Sequence, residues 1–122
     1  MTRIDNKTIN LHAYFDAIAL DQDPDNRISR PLNDTMRASI EKESRDIMAE
    51  YPPESLADLI AINDSHAWGV EAFEMAVEHI YSYTKHTKQI TQEYQDKMRP
   101  LLYKQIALGG YRLANAIADV YA

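Results

Sequence analysis

Apolar residues along the chain recur at three- and four-residue steps, and no stretch alternates in the manner of a strand. The first such segment predicts a helix from about Thr8 to Leu20, with Ile9, Leu11, Phe15, Ile18 and Leu20 as its apolar positions. The acidic run Asp21-Gln-Asp-Pro-Asp-Asn26 interrupts it and reads as a solvated turn, since it lacks the glycine and terminal glutamate of a calcium-binding loop. A second helix is expected from Asn33 or Asp34, either of which can cap its first turn, with Met36, Ile40, Ile47 and Tyr51 on one face. Pro52-Pro53 stops that helix. A short third helix follows from about Glu54 to Ala61, presenting Leu56, Leu59 and Ile60.

Asn63-Asp64-Ser65 offers caps for a longer fourth helix, whose stripe is Trp68, Ala72, Met75, Ala76, His79, Ile80 and Tyr83. Residues 84–90 are polar and read as a helix end or connection, after which Ile90, Tyr94 and Met98 resume the period. Pro100 suits the first turn of a final helix better than an interior position. Leu101, Leu102, Ile106, Leu113, Ala114, Ile117, Ala118 and Tyr121 form the expected buried side of that helix. Gly109-Gly110 within it is accounted for by close approach of another helix backbone, which would make Gly110→Leu destabilising. The pattern implies an all-α fold: one antiparallel, bundle-like helical domain over residues 1–122.

Composition narrows the function classes. With 45% hydrophobic and 26% charged residues the chain is globular rather than disordered. It has 0 cysteines, which removes disulfides, thiolate metal sites and cysteine nucleophiles. A formal net charge of -6 argues against loose binding to long nucleic acid, where basic groups supply the affinity, yet leaves open a phosphodiester held through bound cations. No apolar run is long enough to span a bilayer, and the polar start Met1-Thr-Arg-Ile-Asp is unlike a secretion signal. A soluble protein is the expectation.

One pair of side chains carries the candidate chemistry. His12 and Asp16 stand four apart among apolar residues, so on a helix they share a face and can hold one cation between imidazole and carboxylate. Zinc accepts both, but a catalytic zinc takes three protein ligands, so the pair is half a site. The competing reading is a helical hydrogen-bonded pair. His66 and Asp64 read as part of a helix start, His79 as packed, and His86 as solvent-facing. Arg112, lying among Tyr111, Leu113 and Ala114, calls for a carboxylate partner in a structural ion pair.

Three stretches in order carry a resemblance: Asn10-Leu-His-Ala-Tyr-Phe-Asp16, then Trp68-Gly-Val-Glu-Ala-Phe73 with Ala76 and Tyr81, then Gln105-Ile-Ala-Leu-Gly-Gly-Tyr-Arg-Leu-Ala-Asn-Ala-Ile117. Together they resemble the C-terminal part of the S1/P1 nuclease family, with Phe15 in place of a tryptophan and Gly109 in place of an alanine. The resemblance implies a helical enzyme that hydrolyses phosphodiesters with a trinuclear zinc cluster. It carries zinc ligation onto His12 and Asp16 only, because the remaining histidine and aspartate ligands of the cluster have no counterpart here. The chain then reads as a portion of such a hydrolase, incomplete alone, acting on single-stranded nucleic acid or another phosphodiester once completed. The expected partners are a polypeptide supplying the missing ligands, or a second copy bridged through two His12–Asp16 pairs. A phospholipase C-like fragment and a non-catalytic helical interaction or oligomerisation module are the alternatives.

Overall fold

The computed structural model describes residues 2–4, 7–18 and 30–122. The acidic turn expected at residues 21–26, and the expected apolar position Leu20, lie outside the described residues. Among the described residues, an antiparallel ribbon precedes the first helix: β1 (Thr2–Ile4) pairs with β2 (Lys7–Ile9), Thr2 opposite Ile9 and Ile4 opposite Lys7. The helix expected from Thr8 therefore starts later. β-Branched Thr8 and Ile9 favour extended backbone, and Asn10 then caps α1 (Leu11–Ile18), its Oδ1 accepting the Ala13 N–H at 2.7 Å.

The other helix starts follow the same physical rule. Asn33 caps α2 (Asp34–Glu50), accepting the Met36 N–H at 2.8 Å, and the helix ends just ahead of Pro52-Pro53. A 3-10 turn over Pro53–Leu56 leads into α3 (Ala57–Ile60). Asp64 caps α4 (Ser65–Met75) through the His66 N–H at 2.9 Å. The chain then widens into a π turn over Ala76–Tyr81 before the single turn of α5 (Ser82–Thr84). Side-chain hydroxyls supplement the backbone there: Ser82 Oγ donates to the Glu78 carbonyl, Thr84 Oγ1 to Ile80, and Tyr94 Oη to His79 at 2.9 Å. Thr91 caps α6 (Gln92–Tyr121), accepting the Tyr94 N–H at 3.2 Å.

α6 is the spine of an all-α domain, and two apolar clusters sit on it. Tyr14, Ile90, Tyr94 and Met98 join α1 to its first half, with Phe15, Ile80 and Tyr83 packed around them. Ile47, Leu56, Ala107 and Leu108 join α2 and the 3-10 turn to its middle, flanked by Tyr51, Leu59 and Tyr111. Two tyrosine hydroxyls tie the second cluster across the chain, Tyr51 donating to the Pro100 carbonyl at 3.0 Å and Tyr111 to the Tyr51 carbonyl at 2.9 Å.

Three expectations about α6 are corrected. Pro100 lies inside the helix, not at its start. The ring removes the donor for the Asp96 carbonyl, a cost of about 3 kcal/mol. That is tolerated because buried Met98 on one side and buried Ala107 and Leu108 on the other hold the same helix against both clusters. Second, among the described residues nothing approaches within 4 Å of a Cβ built on Gly109 or Gly110, so the close helix packing expected there, and the overpacking expected of Gly110→Leu, find no neighbour. Third, Ile106, Leu113, Ala114, Ile117, Ala118 and Tyr121 are exposed, and the buried face past residue 106 is Ala107, Leu108 and Arg112. Ile40 of α2 is likewise exposed, leaving Ile47 as the buried anchor of that helix.

Candidate metal-binding pair and its surroundings

α1 is amphipathic, and its two sides do different work. Tyr14 is fully buried against Met98, Tyr94 and Ile90, and Phe15 meets the Tyr14 ring edge-on with centroids 4.9 Å apart. The Tyr14 hydroxyl has no hydrogen-bond partner among the described residues, so packing, not hydrogen bonding, anchors the helix. Burial pushes the Tyr14 phenol well above its ordinary range, with the neighbouring Tyr94 and Tyr83 adding to the shift and Arg99 opposing it.

The opposite side of α1 carries His12 and Asp16. Their i,i+4 spacing brings His12 Nε2 to 3.2 Å from Asp16 Oδ2, with the side chains 89% and 67% exposed. An imidazole nitrogen and a carboxylate oxygen so placed suit one edge of a zinc tetrahedron. Two donors cover half of it. Among the described residues no group of three His, Asp or Glu side chains is placed to hold a metal ion. The fit is that of a partial ligand set.

The remaining histidines stand apart from this pair. His66 is exposed at the start of α4, where its N–H is the donor to the Asp64 cap. His79 is partly buried in the π turn with its Nε2 3.7 Å from Glu78 Oε2. His86 is exposed on the connection after α5. His79, His86, Glu93 and Lys97 line an open groove of about 450 Å³ whose wall includes Tyr83 and Tyr94, stacked with ring centroids 3.8 Å apart. Charges of both signs mix there.

Arg112 has the partner its apolar neighbours required, and that partner is Glu71. Arg112 Nη2 donates to Glu71 Oε2 at 2.9 Å and to the Leu59 carbonyl at 2.9 Å, while its guanidinium lies 5.3 Å from the Trp68 ring centroid. Trp68 is fixed in turn by Nε1–H donation to the Ile62 carbonyl at 2.6 Å. Spacing along one segment could not single out Glu71, which lies on α4 while Arg112 is on α6. The only local signal was that both fall within two of the three resembling stretches. Their physical link is structural: one buried guanidinium joins α3, α4 and α6.

Among the described residues no helix is long and apolar enough to cross a membrane. No curated protein and no solved structure gives a significant match to the chain. The family model described as S1/P1 Nuclease, however, matches residues 1–122, the whole chain. With the three stretches now placed on α1, α4 and α6, the chain belongs to the S1/P1 nuclease family.

Proposed function

We propose that this chain is a portion of a zinc-dependent phosphodiester hydrolase of the S1/P1 type, in which His12 and Asp16 supply two ligands to one zinc ion. Family membership supports a nuclease- or phosphodiesterase-like origin. The observation carrying the residue assignment is the 3.2 Å approach of His12 Nε2 to Asp16 Oδ2 on the solvent side of a helix anchored by Tyr14. In a completed site, His12 and Asp16 would help hold a zinc ion, which would supply water activation and charge stabilisation at the phosphoryl group. This chain's own contribution is positional. Asn10 fixes where α1 begins, Tyr14 fixes its rotation against α6, and the two donors are thereby presented together.

The donors that complete the coordination come from a second polypeptide segment in this reading. Single-stranded nucleic acid is the first substrate class to test, and a phosphocholine ester represents the phospholipase C-like alternative. Zinc titrated into the isolated chain, followed by calorimetry and by the His12 ring resonances, should show weak binding centred on His12. His12→Ala should weaken it by more than the ~10-fold loss that follows from disturbing a ligand's support. Unchanged binding in His12→Ala would refute the ligand assignment. The isolated chain in excess zinc should leave single-stranded DNA, RNA and the phosphocholine ester intact. Zinc-dependent turnover abolished by His12→Ala would instead make the chain a self-sufficient hydrolase.

A second reading, a helical interaction module without catalysis, is favoured by the uncovered apolar side chains of α6, among them Leu113 at 61% and Val120 at 76% exposure.

A further inference from the structure

The last turns of α6 have almost nothing packed on them. From Leu113 to Tyr121 every residue is exposed except half-buried Ala116. Short helical segments are marginal in water without tertiary cover. Yet the outward side is apolar: Ile106, Leu113, Ile117 and Val120 follow helical spacings of seven, four and three residues and so share one face, with Tyr121 at its margin. Gly109 and Gly110 lie on that face with open space above them.

We propose that this face pairs with the same face of a second copy of the chain, the two α6 helices running antiparallel about a two-fold axis beside the Gly109–Gly110 peptide. The sequence is symmetric about that peptide. Ile106 and Leu113 stand equally far from it on either side, and half-buried Leu102 and Ile117 form the next matched pair. An antiparallel pair thus sets Ile106 against the partner's Leu113 and Leu102 against the partner's Ile117, as an isologous contact requires. The glycines at the centre let the two backbones approach where side chains would otherwise hold them apart. Lys104 and Asp119 fall on the far side of the helical period, and half-buried Arg99 is the charge that this register brings to the seam, at its edge opposite the partner's Val120.

The available surface is sufficient. The five outward apolar residues expose on the order of 600–700 Å², near the ~800 Å² per partner of a stable interface. Beside them runs a groove of about 330 Å³ lined by Trp68, Gln105, Gly109, Arg112, Leu113 and Ala116, which offers further room for a partner's side chain. A second exposed stripe, Val70, Phe73, Val77 and Tyr81, lacks this symmetry and serves as the internal comparison.

Sedimentation velocity across a concentration series should give twice the 14.0 kDa chain mass at high concentration. Leu113→Glu, at a position exposed in the protomer, should weaken self-association by about tenfold or more by placing a charge in the seam. Phe73→Ser should leave it unchanged. Because the chain has 0 cysteines, single replacements report geometry directly. Gly110→Cys should form an intermolecular disulfide on mild oxidation. Val120→Cys should not, since antiparallel pairing separates the two copies of that position by about 30 Å along the helices. A monomer at every concentration, dissociation by Phe73→Ser and not by Leu113→Glu, or cross-linking through Val120→Cys would each overturn the proposal. Helical circular dichroism of Leu113→Glu separates a lost interface from a lost fold.

Discussion

Removing the Glu71 carboxylate tests whether Arg112 is the clasp of this domain. Arg112 is 8% exposed and Glu71 25% exposed, and the guanidinium has two kinds of partner: both Glu71 oxygens, at 2.9 and 3.4 Å, and the Leu59 carbonyl. Glu71→Ala leaves the positive charge in place with only a carbonyl and the Trp68 face to compensate it. Breaking a fully buried pair this way costs 3–5 kcal/mol, and the partial exposure of Glu71 lets water return, so a loss of about 2–3 kcal/mol is expected. Arg112→Met costs less, about 1–2 kcal/mol, because a partly exposed carboxylate can be hydrated while the methionine keeps much of the packed volume. The double variant should then be more stable than the sum of the singles implies, by about 1–2 kcal/mol. Urea denaturation at one fixed protein concentration, followed by far-ultraviolet circular dichroism, measures all four proteins. A Glu71→Ala loss below about 0.5 kcal/mol, or additive single losses, would refute the claim that this pair is desolvated and coupled.

Gly69 lies within α4 with nothing among the described residues within 4 Å of an added Cβ, so Gly69→Ala should stabilise the protein by about 1 kcal/mol through helix propensity; a lower urea midpoint would contradict that. Burial and the neighbouring Tyr83 push the Tyr94 phenol from 10.0 up to about 12, so the fold favours its neutral form. The stability this contributes is fully present below pH 10 and is lost as pH rises through about 12. Tyr94→Phe, which cannot ionise, should flatten the alkaline stability profile in that window, read as the denaturation midpoint against pH; a profile as steep as that of the parent protein would place the effect elsewhere.

Helix starts were legible in the sequence because a cap is a local event. Asn33 and Asp64 each need only a free amide two or three residues on, and both supply the expected side-chain bond. The same locality made the His12–Asp16 approach readable, since i,i+4 spacing alone brings those groups together on any helix. Pro52-Pro53 likewise ends α2 through its own backbone chemistry.

Tertiary structure decided what depends on partners distant in sequence. The local cost of Pro100 points to a helix start, but two clusters holding α6 on either side keep the helix continuous. Apolar period located a face on α6 without saying which side would be covered. Contacts from α2 and α3 turned Ala107, Leu108 and Arg112 inward and left Ile106, Leu113 and Ile117 outside. Gly109 and Gly110 show the same limit, because small residues permit a close neighbour but cannot supply one. Arg112 announced its need for a carboxylate, while only the approach of α4 to α6 made that carboxylate Glu71. Local hydrogen-bond geometry is written in adjacent residues; burial and ion-pair choice depend on which surfaces the folded chain brings together.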